Sequence, residues 1–290
     1  MLIPRFTYQS PETLEEALNI LSRHPEAVIL AGGTDLVVNM KKNEVSPQNI
    51  ISISKIDALS RIREERNHIR IGTGVTAAEI AESEIVPLSM RTLVQSAKNL
   101  GSPLIRNRAT IGGNIMSARP AADLVCSLLA LEADVELISN KGRRIVSLSD
   151  FLKGPGITAT ESGEILTSIF IEKQPAKTGS DYQSIGIRKA QDINLINVST
   201  VLGLDENNIV TKARVAIGCV GPTHILSKSA ADSLKGQKIT SELIDKSAKA
   251  SMNDCHPIDD FRSNADYRKK MARVLSRRAL KHSWEQAMMT

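Results

Sequence analysis

Two segments of this 290-residue sequence are built alike, residues 30–36 and residues 109–115. Each places a Gly-Gly pair after apolar residues and follows it with a small polar side chain, Thr34 in the first and Asn114 in the second. Because glycine has no Cβ, successive backbone N–H groups of such a loop can converge on an anion. Two loops of this kind that face each other would hold the two phosphates of a dinucleotide.

A single Gly-Gly pair indicates little more than a tight turn. On physical grounds alone, the repetition makes phosphate binding as good an explanation as two turns. Neither segment matches the G-x-G-x-x-G fingerprint or the G-x-x-x-x-G-K-[ST] P-loop. The sequence therefore disfavours a Rossmann NAD site and an ATPase, and it leaves other dinucleotide-binding folds open.

Charge and cysteine content narrow the class of function. The formal net charge is +5, but only 3% of the residues are aromatic, so few side chains are available to stack on bases and we expect no nucleic-acid partner. The basic tail of residues 262–282, which includes Arg268, is typical of an exposed helix face, although it would also suit an acidic partner protein. The three cysteines have no C-x-x-C spacing, which argues against zinc or an iron–sulfur cluster held by this chain alone. We predict no metal site.

The sequence also predicts where the protein resides. It contains no run of about 18 apolar residues, so we expect no membrane-spanning helix. Its first residues lack a basic flank followed by an apolar stretch, so we predict no secretory signal. Together these features favour a cytoplasmic protein.

Turn and linker signals divide the chain. A strand–helix–strand unit is predicted for residues 1–57, and a second lobe for residues 58–176. In that lobe, Thr76 and Glu79 predict a capping box. The polar residues 174–180, rich in breakers, predict a linker, after which three alternating segments predict a three-stranded antiparallel sheet followed by helices.

Several motifs, in the same order and spacing over nearly the whole chain, are similar to those of one family. The chain resembles the FAD-binding (medium) subunits of the xanthine dehydrogenase and carbon monoxide dehydrogenase family of molybdenum hydroxylases. The similar motifs are A-G-G-T-D-L at residues 31–36, I-G-T-G-V-T-A-A-E-I at 71–80, I-R-N-R-A-T-I-G-G-N-I at 105–115, A-R-P-A-A-D at 118–123, E-I-L-T at 164–167 and R-K-A-Q-D-I at 188–193.

This resemblance implies an α+β protein. Its FAD-binding domain, residues 1–176, would have the two-lobed fold of the vanillyl-alcohol oxidase type. A small C-terminal domain, residues 177–290, would carry the three-stranded sheet and the helices.

The resemblance also implies where FAD binds, with its pyrophosphate between the two glycine loops. It implies that Asp123 and Ser117 lie near the flavin and that the backbone of Leu166 approaches the isoalloxazine ring. Asp123 is explained almost equally well as a first-turn aspartate that the helix dipole favours. We assign no catalytic acid, base or nucleophile, because the flavin performs the redox chemistry. The cofactor-binding residues implied in this way are Ile29, Leu30, Ala31, Gly32, Gly33, Thr34, Asp35, Leu36, Thr110, Ile111, Gly112, Gly113, Asn114, Ser117, Asp123 and Leu166.

A division of labour among subunits follows from the resemblance. A large partner subunit would hold molybdopterin, a small one would hold two [2Fe–2S] clusters, and this chain would pass electrons from FAD to NAD or another acceptor. Three alternatives stay open: a free-standing flavin-dependent reductase or oxidase of the related fold, a non-redox nucleotide-binding module, and a basic nucleic-acid-binding protein.

The chain departs from the family pattern at two positions. Ser184 stands where most relatives have a lysine that can stabilise negative charge on the reduced flavin, and Lys189 is a candidate substitute. Leu104 replaces a frequent glutamine.

Overall fold

A computed structural model describes residues 3–188 and 191–289. The first lobe is a small parallel sheet of three strands in the order β1-β3-β2. Helix α1 packs on it through a buried apolar stripe, Ala17, Leu18 and Leu21, and begins after Thr13, whose side chain accepts a hydrogen bond from Glu16 N. The elements of this lobe are β1 (Thr7–Gln9), α1 (Leu14–Arg23), β2 (Val28–Leu30), α2 (Leu36–Lys41) and β3 (Asn49–Ser52).

The second lobe is built on a five-stranded antiparallel sheet in the order β4-β5-β10-β6-β7. The capping box predicted for Thr76 and Glu79 is present at the start of α3. Gly101 has a φ of +53°, the left-handed conformation that ends α4. The elements are β4 (Ile62–Glu64), β5 (His68–Gly72), α3 (Ala77–Glu82), α4 (Arg91–Asn99), α5 (Pro103–Arg106), α6 (Ile111–Met116), α7 (Asp123–Ala130), β6 (Asp134–Ser139), β7 (Gly142–Ser147), α8 (Leu148–Phe151), β8 (Leu152–Gly154), β9 (Ile157–Thr158) and β10 (Ile165–Glu172).

The C-terminal part contains an antiparallel sheet of four strands in the order β11-β12-β13-β14. The prediction of a three-stranded sheet was therefore wrong, because the sheet has a fourth strand. The additional strand has only two residues, which is too short to show the alternation that identifies a strand in a sequence. The elements are β11 (Thr178–Ile185), β12 (Ile196–Leu204), β13 (Val210–Gly218), β14 (Ile225–Leu226), α9 (Lys228–Leu234), α10 (Ser241–Ala250) and α11 (Ala265–Ala287).

The C-terminal sheet packs between α11 on one side and helices α4 and α7 of the second lobe on the other. Strand β12 is buried along its whole length, as this position requires. Hydroxyl groups cross the junction: Thr92 Oγ1 lies 3.0 Å from Ser127 Oγ and 2.5 Å from Ser199 Oγ. Tyr182 and Val201 belong to the same apolar core as the second lobe. The division between residues 176 and 177 stays a prediction.

No helix in the described part of the chain is long and apolar enough to cross a membrane.

Candidate functional site

A cleft of about 1700 Å³ opens between the first lobe, the second lobe and the C-terminal part. Pockets for drug-sized ligands are about 300–1,000 Å³, so this cleft can take a longer molecule such as a dinucleotide. All but one of the residues predicted to bind the cofactor line it. The exception is Ile111, whose side chain is fully buried in the core of the second lobe.

The first glycine loop contains backbone N–H donors that are unpaired within the described part of the chain. Gly33 takes a φ of +75°, and the chain then turns into α2. Among the described residues, the N–H groups of Gly33, Thr34 and Asp35 have no hydrogen-bond partner. Unpaired backbone N–H groups need an acceptor, and a bound anion supplies one. This loop therefore has backbone donors that can donate to a phosphate oxygen, and phosphate binding there stays a prediction.

Gly32 has a different role. A Cβ at this position would lie 1.8 Å from the backbone oxygen of Arg108. The first lobe therefore touches the backbone of the second lobe here, and only a residue without a side chain allows the contact. The side chains of Asp35 and Arg119, 3.9 Å apart, add an exposed ion pair across the cleft.

The second glycine loop uses its backbone donors within the chain. Gly112 N donates to Thr73 O at 3.0 Å, Gly113 N to Thr110 Oγ1 at 3.1 Å, and Asn114 N to Thr110 O at 3.0 Å. The expectation that the N–H groups of both loops converge on an anion is thus wrong for this loop. What it offers the cleft is the Asn114 side chain, whose buried Oδ1 has no partner among the described residues.

Gly112 also packs closely, because a Cβ there would lie 2.5 Å from Thr73 Cβ. Thr73 in turn connects this loop to β10: its Oγ1 donates to Leu166 O at 3.0 Å. A β-bulge falls between Leu166 and Ser168. The backbone near Leu166 is therefore held out of the regular ladder, beside the cleft that Leu166 lines.

A buried carboxylate supports the bulge from the other side. The side chain of Glu136 accepts from Thr167 Oγ1 at 2.7 Å and forms ion pairs with Arg143 at 2.6 Å and Arg70 at 3.3 Å. A buried charge is tolerated when it is paired and hydrogen-bonded in this way.

Asp123, the first residue of α7, joins the second lobe to the C-terminal part. Its Oδ1 accepts from Asn99 Nδ2 at 2.8 Å, Tyr182 Oη at 2.8 Å and Asn194 Nδ2 at 2.9 Å. Burial raises the pKa of this carboxyl, and the three hydrogen bonds oppose that rise. Burial and the nearby Asp123 also raise the pKa of Tyr182 well above its ordinary value, so the phenol stays neutral and donates.

Ser117 ends α6, where its Oγ donates to Asn114 O at 2.8 Å. Ala118 follows with a φ of +44°, a conformation that costs free energy for a residue with a Cβ. The strained turn directs the chain along the cleft toward Asp123, and residues 119–123 all line the cleft.

The C-terminal part contributes one wall of the cleft, and this wall was not predicted from the sequence. Cys219 has a φ of +63°, its N–H donates to Pro120 O at 2.8 Å, and its thiol contacts Asn194 O at 3.3 Å. Burial raises the pKa of this thiol to about 12, so it stays protonated.

Arg268 was expected on an exposed face of the basic tail, but its side chain is buried in this wall. Asp192 and Ile193 end the motif at residues 188–193, but no short motif marks the other residues of the wall, because they meet only in the folded chain. The residues of this wall are Asp192, Ile193, Cys219, Gly221, Pro222, His256, Ile258, Asp260, Arg262 and Arg268.

Ser184 lies at a second, smaller pocket of about 370 Å³. Three cationic side chains also line it, Lys98, Arg106 and Arg188. Lys189, the candidate substitute for the absent lysine, lies outside the described residues. Leu104 is exposed, and nothing in the structure explains the replacement of the frequent glutamine.

Two family models match the chain. The "FAD binding domain in molybdopterin dehydrogenase" matches residues 4–173, and the "CO dehydrogenase flavoprotein C-terminal domain" matches residues 182–283. The chain belongs to this flavoprotein family. It is an FAD-binding subunit of the molybdenum hydroxylase type and part of an oxidoreductase, as the sequence motifs predicted.

Relatives of the flavoprotein cover almost all of it. The carbon monoxide dehydrogenase medium chain of Hydrogenophaga pseudoflava is 32% identical over 98% of this chain and 99% of its own length. The nicotinate dehydrogenase FAD-subunit of Eubacterium barkeri is 34% identical over 83% of both chains. A solved structure of carbon monoxide dehydrogenase from Hydrogenophaga pseudoflava has a TM-score of 0.93 at 32% identity, covering 98% of this chain and 99% of that one. The predicted order of an FAD-binding domain followed by a C-terminal domain is confirmed.

The cleft of the flavoprotein fits FAD. Its first loop presents unpaired N–H groups for a phosphate, and Asn114 brings an unpartnered buried oxygen to the second loop. The volume of about 1700 Å³ is large enough for a dinucleotide.

Proposed function

We propose that this chain is the electron-transfer flavoprotein subunit of a molybdenum hydroxylase. It accepts electrons from [2Fe–2S] clusters on a small partner subunit and passes them from FAD to NAD or another acceptor. A large partner subunit holds molybdopterin and transforms the substrate. The observation that carries the proposal is the cleft itself, where three parts of the chain meet around a loop with unpaired backbone donors.

The residues of the chain bind and orient the cofactor. The N–H groups of Gly33, Thr34 and Asp35 hold a phosphate of FAD, and the Asn114 side chain contacts the cofactor from the second loop. The bulge at Leu166, braced by Thr73, presents backbone to the isoalloxazine ring. FAD supplies the redox chemistry and exchanges electrons with both partners.

Asp123 acts as a fixed part of the cleft rather than as a catalytic acid or base. The three side-chain hydrogen bonds that Asp123 accepts all fall on Oδ1 and come from neutral donors on three separate segments. This arrangement fixes the position of the carboxyl group beside the flavin. It also closes the cleft against water at the junction with the C-terminal part.

The relatives support a multi-subunit assembly. Their names describe a "medium chain" and an "FAD-subunit". The similarity to the carbon monoxide dehydrogenase medium chain extends over 98% of this chain and 99% of that one, so the two match over nearly the whole length of that subunit. We therefore propose that its electron donor and its substrate site lie on partner chains.

The first test is FAD binding by the purified chain, followed by absorbance and by quenching of flavin fluorescence. Thr34→Glu places a negative charge at the proposed phosphate position and should weaken FAD binding by about 10-fold or more. Gln48→Glu is the matched control: it adds the same charge to an exposed position of the same lobe, away from the cleft. A wild-type chain that never takes up FAD, alone or with its partners, would contradict the proposal.

The second test concerns the partners. The chain expressed with the two genes for molybdenum-binding and iron–sulfur subunits should purify as one complex whose FAD is reduced when substrate is added. Turnover of an organic substrate by the isolated chain without partners would instead favour a free-standing flavin-dependent reductase or oxidase.

A further inference from the structure

Three charged residues of the C-terminal wall form one cluster. Asp260 Oδ2 lies 2.8 Å from Arg262 Nη2 and 2.7 Å from Arg268 Nη2. All three residues line the cleft. Two guanidinium groups thus share one carboxylate, so the cluster carries a surplus positive charge.

The carboxylate has no capacity left for another cation. Asp260 Oδ1 already accepts from the backbone N–H groups of Arg262 at 2.9 Å and Ser263 at 3.1 Å. Burial would raise the pKa of this carboxyl, but the hydrogen bonds from Arg268 and Arg262 hold it well below its ordinary range. Asp260 is therefore ionised at neutral pH and neutralises one arginine of the two.

Arg268 is the buried member of the pair, with only 4% of its surface exposed. Its Nε is buried and has no hydrogen-bond partner among the described residues. Guanidinium groups have five N–H donors and are rarely buried without acceptors, since an unpaired charged donor costs free energy. A buried, under-satisfied arginine in the wall of an open cleft indicates that an anion approaches it.

Other charged groups near this wall do not supply that anion. Asp192 accepts from Arg188 N at 2.7 Å, and Asp259 accepts from Ala265 N at 2.6 Å at the start of α11. The acceptor oxygen of Asp123 takes three donors already. His256, which also lines the cleft, is exposed and supplies no negative charge.

We infer that Arg262 and Arg268 form a second anion site of the cleft, which takes a phosphate group of a nucleotide. Two neighbouring guanidinium groups match the several oxygens of a phosphate and its charge. The site lies on the C-terminal wall, whereas the glycine loops lie on the two lobes. The inference rests on the proposed function, because it requires a nucleotide in the cleft. The phosphate belongs either to FAD itself or to a second nucleotide that serves as electron acceptor.

Two variants test the site, Arg268→Gln and the more exposed Arg262→Gln, each first compared with wild type by thermal unfolding. The matched control is Arg277→Gln, on the same helix, whose partner is Asp245 and which does not line the cleft. FAD affinity is measured by fluorescence quenching of the chain. NAD⁺ affinity is measured on the FAD-loaded chain from the change in flavin absorbance.

The site predicts that one of the two affinities falls about 10-fold or more in both cleft variants, stays unchanged in Arg277→Gln, and is partly restored in Arg268→Lys. A fall in FAD affinity identifies the cofactor as the source of the phosphate. A fall in NAD⁺ affinity at unchanged FAD affinity identifies a nucleotide acceptor. Folded cleft variants that bind FAD and NAD⁺ as the wild type does would overturn the inference. A wild-type chain that binds no FAD would instead contradict the proposed function, which is a separate failure.

Discussion

A single methyl group would meet very different surroundings at neighbouring glycines of the cleft. At Gly32 and Gly112 it would run into backbone or a packed side chain, whereas at Gly113 the nearest atom is Thr110 Oγ1 at 3.0 Å. We predict that Gly32→Ala and Gly112→Ala each lower the free energy of unfolding by about 1–3 kcal/mol or more. At Gly32 the two lobes must move apart, and at Gly112 the loop must move away from Thr73 within the second lobe. Gly113→Ala, the matched control, should cost much less. Chemical denaturation of the three variants measures the difference, and equal costs at Gly112 and Gly113 would contradict it.

Asp123 makes the stability of the protein depend on pH. Its pKa is raised in the fold from an ordinary value of 3.8, so the folded state binds the proton more tightly than the unfolded chain does. Its favourable contribution is complete below that ordinary value and is lost as pH rises through the folded pKa. We predict that wild type loses stability relative to Asp123→Asn as pH rises from about 4, until the carboxyl is fully ionised.

The measurement is the midpoint of thermal unfolding of both proteins between pH 4 and pH 8. Gln48→Asn, a change at an exposed position of the first lobe that involves no titratable group, provides the control. A difference between wild type and Asp123→Asn that stays constant across this range would show that burial does not perturb the carboxyl.

At single positions, the motifs identified residues that line the cleft but did not predict the hydrogen bonds that those residues make. The resemblance pointed to Gly112 and Asn114, yet the sequence gives no sign that Gly112 N is already bonded to Thr73 O. The partners of Asp123 were likewise missed, because Asn99, Tyr182 and Asn194 come from separate segments and each has an ordinary local sequence. Hydrogen-bond partners distant in the chain leave no periodic pattern to read.

Among the elements, the segment of residues 159–164 before β10 depends on one ion pair. Arg144 of β7 donates to both oxygens of Glu164, at 2.6 and 2.7 Å, and to Ala159 O at 2.6 Å. Residues 160–164 line the cleft. The pair therefore fixes a part of the wall that has little regular structure of its own.

We predict that Arg144→Gln lowers the free energy of unfolding by about 1–3 kcal/mol at pH 7 and weakens FAD binding several-fold. The hydrogen bond and charge of Arg144 lower the pKa of Glu164 from 4.5, so the stability that the pair contributes is present above that value and is lost as pH falls. Denaturation at pH 7 and pH 4 should show the penalty shrinking in acid. Lys141→Gln, at the exposed turn of the same hairpin, is the control. An undiminished penalty at pH 4 would contradict the assigned role of the pair.

Sequence patterns predicted the elements with local signals. The capping box of Thr76 and Glu79 was predicted because it depends on two residues that are close together in the sequence. The two-residue strand β14 was missed, because it is a strand only by virtue of its pairing with β13. Strand β12 was found, but its burial on both faces depends on α11 and α7, which only the tertiary structure brings there.

For the whole molecule, the shared core predicts one cooperative unit. Tyr182 and Val201 of the C-terminal sheet belong to the core cluster of the second lobe, and Thr92 contacts Ser199 across the junction. We predict a single unfolding transition in calorimetry, with equal calorimetric and van't Hoff enthalpies. A fragment of residues 1–176 should aggregate, since it exposes the faces of α4 and α7. Two well-separated transitions would show instead that the proposed domains are independent.

At the mouth of the cleft, one segment presents apolar surface to solvent. Phe261 is 96% exposed, and the neighbouring Ile258 is exposed while it also lines the cleft. Exposed apolar groups beside a cofactor site are suited to contact with another protein, and we propose that this partner is the iron–sulfur subunit of the proposed function. We predict that Phe261→Ser, which adds no charge beside Arg262, weakens co-purification with that subunit and leaves FAD binding unchanged. Met289→Ser, at an exposed apolar position near the end of α11, should affect neither co-purification nor FAD binding. Unimpaired assembly of Phe261→Ser would exclude this segment as the contact.

The walls of the cleft lie far apart along the polypeptide, from the first glycine loop near residue 32 to Arg268. A ribosome makes them in that order, and N-terminal parts fold first during synthesis. A nascent chain therefore has no complete flavin pocket until Arg268 has left the ribosome, and the cofactor cannot be fully enclosed before then. Because a ligand stabilises only the state that binds it, the supply of flavin in the cell then sets how much of the newly made subunit survives to find its partners.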